Sequence, residues 1–419
     1  MSKKDLSKNQ SRRKRRRKKR HRRVLLIIEI VVILLAIAFA SIMFMPNSKA
    51  FMVRTFTGCP AGRMILKTLY KNNYDANVYE NDAKNIRTVN LGNGYTNIAL
   101  MGIDPRDGEF DDSTHSDTIM IVSINNKTHD VKLVSVYRDS FLKMKGEKSK
   151  KAIYEKANYA YFIGGVSSTI NMLNENFDLD ITEYAIVNFE GLADIIDALG
   201  GVDISITDAE RDLINGYLVE TREITGMDAP DVKKTGKVHL SGLQATAYCR
   251  IRYTEFTDSD GNVYHNDYGR TARQRYILNT VLEKAKTAGV SQLLDVADTI
   301  IKKNNSNGRK IIATNIKWNR MVDLLTVAVD CNLNSTFGFP YDTYTPEKGK
   351  TYFGYVIPQG LKQNVVRLHK DLFPDKTYTP SSVIDDINDY IIDETGVEEP
   401  DDKKDADNTD KKSKSYEDD

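Results

Sequence analysis

The sequence has few of the residues that build small stapled or fibrous proteins. Among 419 residues there are three cysteines, one tryptophan, ten prolines and 25 glycines. The cysteines, Cys59, Cys249 and Cys331, are widely separated and include no CxxC pair. This pattern excludes a disulfide-stapled miniprotein and gives no zinc motif. The low glycine and proline content excludes a collagen-like chain, and 40% hydrophobic residues exclude a wholly disordered one.

Acidic residues are nearly absent from the first 23 positions, which hold 14 Lys or Arg and only Asp5. Residues 393–419 show the opposite balance, with 12 acids against five Lys. Since the whole chain has a net charge of +2, residues 24–392 carry −4. The folded part is therefore expected to be mildly acidic. The low apolar content of residues 393–419 predicts a disordered tail.

One long hydrophobic run follows the basic segment. Residues Val24 to Met45 contain a single charge, Glu29. As a helix this run would be about 33 Å long, enough to cross a hydrocarbon core of about 30 Å. A cleaved signal peptide, with a cleavage site at Ala38–Ala40, is the alternative, but the run exceeds the usual apolar length of such peptides. The basic flank predicts a cytoplasmic N-terminus and an extracellular domain, so we expect a single-pass protein of the cell membrane.

The basic segment resembles nucleic-acid-binding tails in composition, since clustered Lys and Arg neutralise phosphates. Its attachment to a membrane span favours anionic lipid headgroups instead. We therefore expect membrane lipid, and no nucleic acid, among the partners. The predicted organisation is a cytoplasmic tail (1–23), a signal anchor (24–45), an extracellular linker (46–90), a folded domain (91–392) and an acidic tail (393–419).

Short β-branched runs alternate with helical patterns after residue 95. Thr96–Ile103 predicts a buried strand, and Asp117–Ile124 with Val131–Tyr137 predicts a hairpin around a polar turn. Further strands are predicted at Tyr184–Asn188, Val202–Ile206 and Tyr352–Ile357, and helices at Tyr154–Phe177 (interrupted at Gly164 and Gly165), Glu190–Leu199, Ser241–Ala247, Arg270–Ala288 and from Thr314 onward. This alternation predicts an α/β/α sandwich around a mixed central sheet.

Polar residues at strand ends are the first candidates for chemistry, because ligands bind there in open α/β sheets. Asp104 follows the first predicted strand and Asp117 begins the second, so both carboxylates could share one rim. Two carboxylates with open positions suit Mg²⁺, which also takes phosphate oxygens as ligands. Taken singly, each Asp is more often a turn or strand-end residue.

Several arginines also lie at the ends of predicted elements. They are Arg138 after the third strand, Arg250 and Arg252 in a run predicted as a strand, and Arg270 and Arg273, with Gln274, on one predicted helical face. Residues two apart in a strand, or three and four apart in a helix, share a face. Isolated arginines usually form solvated salt bridges. In a net-acidic domain this grouping favours an anion site, and paired guanidinium contacts suit a pyrophosphate.

Eight sequence blocks, in order across residues 96–282, resemble the LytR-CpsA-Psr family. They are Leu100–Arg106 (LMGIDPR), Ser116–Met120 (SDTIM), Ser135–Ser140 (SVYRDS), Lys156–Ala160 (KANYA) followed by Gly164 and Gly165, Ala198–Asp203 (ALGGVD), Leu240–Ala245 (LSGLQA), Tyr248–Arg252 (YCRIR) and Asp267–Gln274 (DYGRTARQ). The short basic tail with one predicted span is also similar to the layout of the family.

The resemblance implies a membrane-anchored phosphotransferase that depends on Mg²⁺ or Mn²⁺. Such enzymes move a glycopolymer phosphate, such as teichoic acid or capsular polysaccharide, from a polyprenyl pyrophosphate carrier to peptidoglycan, at the C6 hydroxyl of N-acetylmuramic acid. A tunnel for the polyprenyl chain is implied as well. By position, the metal-binding acids would be Asp104 and Asp117, the catalytic residues Arg138, Asp117 and Asp139, and the pyrophosphate-binding residues Arg138, Lys156, Asn158, Arg250, Arg252, Arg270 and Gln274. Either Asp117 or Asp139 would take the proton from the sugar hydroxyl.

Two positions depart from the family pattern. Tyr137 stands where a proline is often found, and His115 stands where an arginine is common. We interpret His115 as a loop residue; the alternative is that a protonated His115 donates a weaker hydrogen bond to a phosphate in place of the arginine. We interpret Cys249, beside Arg250, as a small buried residue rather than a nucleophile. Two alternative functions stay open. One is a pyrophosphate hydrolase that uses water as the acceptor, and the other is a non-catalytic wall-binding or regulatory protein.

Overall fold

The computed structural model describes residues 94–104, 114–146, 151–302, 310–317 and 331–400, with single positions 59, 60, 64, 86, 320, 321, 323, 324, 327 and 328. The predicted basic tail, the predicted span and most of the predicted linker lie outside these residues, as does the acidic tail from residue 401. Within the described part of the chain, no helix has both the length and the apolar character needed to cross a membrane.

The described residues form strands and helices in an alternating order. The strands are β1 (Tyr95–Ile103), β2 (Ser116–Asn125), β3 (Asp130–Val136), β4 (Phe141–Met144), β5 (Ile153–Lys156), β6 (Glu183–Val187), β7 (Val202–Ile206), β8 (Gly236–Leu240), β9 (Phe256–Thr257), β10 (Val263–Tyr264), β11 (Ile312–Thr314), β12 (Asn332–Phe339), β13 (Thr343–Tyr344) and β14 (Ile357–Pro358). The helices are α1 (Tyr159–Phe177), α2 (Phe189–Ala198), α3 (Asp208–Thr225), α4 (Gly242–Tyr248), α5 (Asn266–Thr287), α6 (Val290–Lys302), α7 (Leu361–Leu372) and α8 (Ser382–Thr395).

Six strands form a mixed central sheet in the order β11-β6-β1-β2-β3-β12. β1 pairs antiparallel with β2 and parallel with β6, and β3 pairs antiparallel with β2 and parallel with β12. The predicted hairpin of β2 and β3 is confirmed, since Ile124 pairs with Val131 across a short turn. The prediction of a mixed sheet is confirmed as well, and β1 is an interior strand of it.

Alternation along β1 directs its side chains to opposite faces of the sheet. Ala99, Met101 and Ile103 are buried in the main core, which they share with residues of α1, α7 and α8. Ile98 belongs to a different apolar cluster, and Leu100 lines a cavity that residues of α2, α5 and α6 also line. Helices therefore cover both faces of the sheet, which confirms the predicted α/β/α layering.

Local sequence explains where the helices near the cavity begin and end. The side chain of Asn188 accepts a hydrogen bond from the backbone N–H of Gly191 at 2.8 Å, which caps the start of α2. α4 begins with a capping box formed by Ser241 and Gln244. The predicted interruption in α1 is confirmed, because Gly165 has a φ of 57°, a conformation that favours glycine.

The run Tyr248–Arg252, predicted as a strand, is instead the end of a helix and a loop. α4 ends at Tyr248, and the backbone N–H of Cys249 donates to the carbonyl oxygen of Ala245 at 3.0 Å. Every residue of α4 is buried, so packing against α2 and α3 decides its conformation rather than the β-propensity of the run. Arg250 and Arg252 are therefore placed by a loop and not by one strand face.

Other predicted boundaries were also wrong. Tyr154 lies in strand β5, and the helix that was predicted to include it starts at Tyr159. Thr314 ends strand β11, which pairs with β6, and begins no helix. Tyr352 has a φ of 63° in a turn, so only the last predicted residue there, Ile357, belongs to a strand. Because α8 extends to Thr395, the tail predicted from residue 393 begins inside a helix.

Candidate active site

Three strand ends bring the motif residues to one edge of the central sheet. Ile103, the last residue of β1, pairs with Ser116, the first residue of β2. Asp104 and Asp117 adjoin this pair, and both line the same cavity. Arg138 follows the end of β3, the next strand in the sheet. The topology of the sheet therefore brings together residues that are up to 34 positions apart in the sequence.

Arg138 is the centre of an ion-pair network. Its Nη1 lies 2.6 Å from Oδ1 of Asp117, and its Nε lies 3.5 Å from Oδ2 of Asp139 and 3.7 Å from Oδ2 of Asp267. The Arg138 side chain is 21% exposed, so these contacts are partly shielded from water while one side stays accessible. Three carboxylates thus orient one guanidinium group.

Asp267, in the first turn of α5, joins two further arginines to this network. Its Oδ1 lies 3.0 Å from Nε of Arg270 and 3.6 Å from Nε of Arg252. Arg270 also donates from Nη2 to the backbone oxygen of Asp117 at 3.0 Å, which connects α5 to β2. Asp267 was not among the predicted site residues. Its spacing of three from Arg270 on a helix is the signal that could have identified it.

Lys156 and Asn158 reach the network from the segment between β5 and α1. Nζ of Lys156 lies 3.1 Å from Oδ1 of Asp139, and it also lies 5.0 Å from the ring centre of Tyr355. The backbone N–H of Asn158 donates to the carbonyl oxygen of Arg138 at 2.9 Å. The structure therefore places both residues of the Lys-x-Asn motif beside Arg138.

Arg250 and Gln274 line the cavity, but their contacts point away from Arg138. Nη2 of Arg250 lies 2.6 Å from Oε2 of Glu220, and its guanidinium lies 4.7 Å from the ring centre of Phe189. Nε2 of Gln274 donates to the carbonyl oxygen of Cys249 at 3.4 Å. These two side chains border the cavity without belonging to the ion-pair network.

Arg273 does not share the site-facing side of α5 with Arg270, contrary to the sequence prediction. It is fully buried, and its Nε donates to Oε1 of Glu210 at 3.0 Å. Its Nη2 also donates to the backbone oxygen of Glu255 at 2.6 Å. Because the guanidinium of Arg273 already binds a buried carboxylate and a carbonyl group, its role is structural. Arg273 is therefore excluded from the candidate site.

The charges of the network determine the ionisation of its members. Burial acts to raise the pKa of Asp117, but the guanidinium groups of Arg270 and Arg138 outweigh it and lower this pKa below its ordinary value. Burial acts to lower the pKa of Arg138, but Asp267 and Asp117 outweigh it and raise this pKa. Burial and, to a lesser degree, Arg138 lower the pKa of Arg270 despite Asp267. Asp117 is thus a carboxylate at neutral pH, and Arg138 stays protonated.

Three members of the network, Asp117, Arg252 and Arg270, line an apolar cavity of about 660 Å³. Its charged and amide lining residues are Asp104, Asp117, Asn188, Arg250, Arg252, Arg270 and Gln274, and its apolar lining residues include Leu100, Met120, Leu192, Ile277, Val281, Ile300, Ile316 and Leu324. A cavity with basic groups at one side and hydrocarbon elsewhere suits a ligand with an anionic head and an apolar chain.

The donor set of the site fits a hard divalent cation only in part. Among the residues that the structure describes, no group of three or more His, Cys, Asp or Glu side chains is arranged to hold a metal ion. Asp104 and Asp117 nevertheless line the same cavity, and Asp117 is 39% exposed beyond its contact with Arg138. Mg²⁺ is usually bound by one or two carboxylates together with substrate phosphates and water. The two acids therefore fit an ion that the substrate helps to bind.

The structure defines the surroundings of Tyr137, His115 and Cys249. Tyr137 is buried, with its ring centre 4.5 Å from that of Tyr268. His115 is exposed and stacks on Phe162. Cys249 is buried, and burial raises the pKa of its thiol to about 12. A thiol with this pKa is neutral at physiological pH, which agrees with the interpretation that Cys249 is not a nucleophile.

The α/β/α fold places guanidinium groups beside an apolar cavity, an arrangement that suits a ligand with an anionic head and an apolar chain. The chain belongs to the LytR_cpsA_psr family, whose sequence model matches residues 64–355. The resemblance drawn from the eight sequence blocks is therefore confirmed.

Sequence similarity to two transferases and structural similarity to one solved protein support this membership. The chain is 32% identical over 281 residues to the polyisoprenyl-teichoic acid–peptidoglycan teichoic acid transferase TagU of Bacillus cereus (strain AH820), covering 66% of this chain and 79% of that protein. It is 31% identical over 299 residues to the transferase of the same name from Bacillus mycoides, covering 70% and 85%. Protein gbs0355 from Streptococcus agalactiae has a solved structure with a TM-score of 0.50 and 25% identity, covering 68% of this chain and 90% of that one. The likeness to this structure agrees with the mixed α/β fold.

Proposed function

We propose that this protein is a transferase that moves a glycopolymer phosphate from a polyprenyl pyrophosphate carrier to peptidoglycan. The observation that best supports this proposal is that the Arg138 network adjoins an apolar cavity of about 660 Å³. The relatives named as teichoic acid transferases support this reaction, and they favour teichoic acid over capsular polysaccharide as the polymer.

The donor binds with its two ends in different surroundings. The polyprenyl chain occupies the apolar cavity, where burial of hydrocarbon supplies most of the affinity. The pyrophosphate lies among Arg138, Arg252 and Arg270, whose guanidinium groups are held by Asp267 in the free protein. Lys156, which is partly exposed and paired with Asp139, adds a further positive charge beside Arg138.

Asp104 and Asp117 hold a Mg²⁺ or Mn²⁺ ion in this proposal. When bound, such an ion neutralises charge on the pyrophosphate oxygens. The lowered pKa of Asp117 keeps it in the carboxylate form that a metal ligand requires.

The chain's own residues position the reacting groups. A hydroxyl oxygen of the acceptor sugar forms a bond to the phosphorus that carries the glycopolymer. The bond from that phosphorus to the bridging oxygen breaks, and the polyprenyl phosphate leaves with the electron pair. Arg138 and Arg270 stabilise the charge that develops during this exchange. Asp117 or Asp139 receives the hydroxyl proton, since both carboxylates lie beside Arg138 at the edge of the site.

We also propose that residues 24–45 anchor the protein in the cell membrane, with residues 1–23 in the cytoplasm and the catalytic domain outside the cell. The length of the apolar run and its basic flank support this orientation. Digestion of the folded domain by a protease added to intact protoplasts is expected. Complete protection of the domain would contradict the proposed topology.

The reaction can be tested with the purified full-length protein in detergent. A radiolabelled polyprenyl-diphosphate glycopolymer is incubated with peptidoglycan and Mg²⁺, and label on the glycan strands is measured. Arg138→Ala is expected to lower the rate by about 100-fold to 1,000-fold, because one charge-stabilising donor is lost. Arg211→Ala, which removes a surface pair with Asp208 and Asp212, is the matched control and should leave the rate unchanged.

The outcomes separate the possible functions. Label released as free glycopolymer phosphate, with none on peptidoglycan, would identify a hydrolase instead. A wild-type protein that leaves the labelled lipid intact would contradict both enzymatic functions and favour a binding or regulatory role. A rate that is unchanged when EDTA replaces Mg²⁺ would contradict the proposed metal.

A further inference from the structure

The ring of Phe162 stacks with two other aromatic rings, those of His115 and Tyr159, outside the ion-pair network. The ring centre of Phe162 lies 5.1 Å from that of His115, with the planes at 14°, and 5.3 Å from that of Tyr159, with the planes at 28°. The rings of His115 and Tyr159 are 5.9 Å apart. Phe162 is 40% exposed, although large apolar rings are usually buried. These three residues, named the aromatic stack here, leave an apolar ring surface open to solvent.

Backbone connections place the aromatic stack beside Arg138. His115 lies directly before β2 and precedes Asp117, which accepts a hydrogen bond from Arg138, by two residues. On the other side of the stack, α1 begins directly after Asn158, whose backbone N–H donates to the carbonyl oxygen of Arg138. The aromatic stack therefore borders the phosphate-binding residues.

The apolar cavity lies on a different flank of the same residues. Its lining includes Arg252 and Arg270, but none of the three residues of the aromatic stack. A polyprenyl chain in the cavity would therefore leave the stack free for another part of a substrate. The surface beside the stack is exposed, which suits a ligand that remains partly in water.

We propose that the aromatic stack is a binding site for a pyranose ring. The C–H groups on one face of a pyranose form an apolar surface that packs on an aromatic ring, while its hydroxyl groups stay hydrated. Rigid aromatic side chains offer such contact area with little loss of conformational entropy. Stacked rings lose even less, because their neighbours already fix their orientation.

A sugar at this position follows from the proposed phosphoryl transfer, on which this inference rests. Two sugars must lie within a few bonds of the reacting phosphorus: the first sugar of the glycopolymer and the acceptor sugar that supplies the hydroxyl. Because a loose transition state gains most from correct placement of its reactants, a fixed platform next to Arg138 would position one of these sugars. Both sources share the pyranose chemistry that the aromatic stack recognises.

Binding measurements on the full-length protein in detergent can identify the source. Three probes are titrated by calorimetry: a soluble tetrasaccharide of N-acetylglucosamine and N-acetylmuramic acid, a polyprenyl diphosphate that carries one N-acetylglucosamine, and the same lipid without sugar. Phe162→Ala is expected to weaken the binding of one of the two sugar-containing probes about fivefold to tenfold. It should change the affinity for the sugar-free lipid by less than about twofold. Loss with the tetrasaccharide assigns the acceptor, and loss with the sugar-bearing lipid assigns the donor.

Two further variants keep the test specific. Phe162→Tyr retains the ring and should bind all probes as the wild type does. Tyr344→Ala removes an aromatic ring of similar exposure, 43%, from strand β13 and should change no affinity. The inference is overturned if Phe162→Ala binds both sugars as Tyr344→Ala does, if it weakens all three probes equally, or if the wild type binds neither sugar at millimolar concentration. Since these are binding readouts, wild-type sugar binding without transfer to peptidoglycan would contradict the proposed function alone.

Discussion

At the scale of single residues, Asp267 shows how the site holds several positive charges close together before any substrate binds. Its two carboxylate oxygens lie within 3.7 Å of nitrogens from Arg138, Arg252 and Arg270. Without this negative charge, three guanidinium groups would repel one another and lose their fixed orientation. Asp267 touches the phosphate-binding groups rather than the phosphate itself, so we regard it as a positioning residue.

Replacement of Asp267 by Asn should therefore impair transfer without unfolding the protein. We expect kcat to fall by about 10-fold to 100-fold, because small displacements of catalytic groups have effects of this size. The rate of label transfer to peptidoglycan measures this effect, and the melting temperature monitors folding. Asp212→Asn, which alters an exposed carboxylate paired with Arg211, is the matched control. Equal rates for the two variants would show that Asp267 has no positioning role.

At the scale of elements, a buried ion pair joins α5 to α3. Arg273 of α5 is fully buried, and Glu210 of α3, which also takes part in the capping box at the start of α3, is nearly so. Nη2 of Arg273 lies 3.0 Å from Oε1 of Glu210. Because Arg270 lies on the same helix as Arg273, this pair fixes the helix that presents Arg270 to the site.

Replacing Arg273 by Leu should destabilise the fold far more than replacing a surface arginine. The change leaves the Glu210 carboxylate buried without its partner, so we expect the free energy of unfolding to fall by about 3–5 kcal/mol. Chemical denaturation, followed by circular dichroism, measures this loss. Arg211→Leu, which removes a solvent-facing ion pair with Asp208 on α3, should leave the free energy of unfolding nearly unchanged. Similar losses for both variants would contradict the structural role of Arg273.

Elements with a strong local pattern were predictable from the sequence, and those decided by packing were not. The β2–β3 hairpin and the caps of α2 and α4 carry their signals within a few residues. β11 has only three residues and depends on its pairing with β6, so no local pattern distinguishes it from the start of a helix. The run after Tyr248 has β-forming residues, yet burial of α4 determines its conformation.

The same distinction applies to the candidate site. Motif blocks identified Asp104, Asp117, Arg138 and the residues near them, because those positions could be compared with a family pattern. The prediction that Arg273 faces the site was wrong, because a spacing of three residues on a helix does not show which of the two side chains is turned into the protein interior. Asp267 was missed because an acid among arginines is typical of an ordinary surface salt bridge. Only the fold shows that Asp267 joins Arg138 to Arg252 and Arg270, which line one cavity.

At the scale of the whole molecule, the central sheet separates two apolar regions with different uses. On one face, large side chains such as Met101 and Ile119 pack against α1, α7 and α8 and form the main core. On the other face, Leu100 and Met120 line the cavity of the candidate site. Since protein interiors are normally packed to high density, a cavity of about 660 Å³ indicates a space kept for a ligand.

Filling this cavity should discriminate between donors by the length of their lipid. Ala297 of α6 lines the cavity and is 3% exposed, so Ala297→Phe would occupy space proposed for the polyprenyl chain. We expect the KM for an undecaprenyl-linked donor to rise about tenfold, while the KM for a geranyl-linked donor changes by less than about twofold. Transfer rates measured over a range of each donor test this prediction, and the short donor is the internal control. If both KM values rise equally, the substitution has disturbed the charged end of the site, and the cavity does not hold the lipid chain.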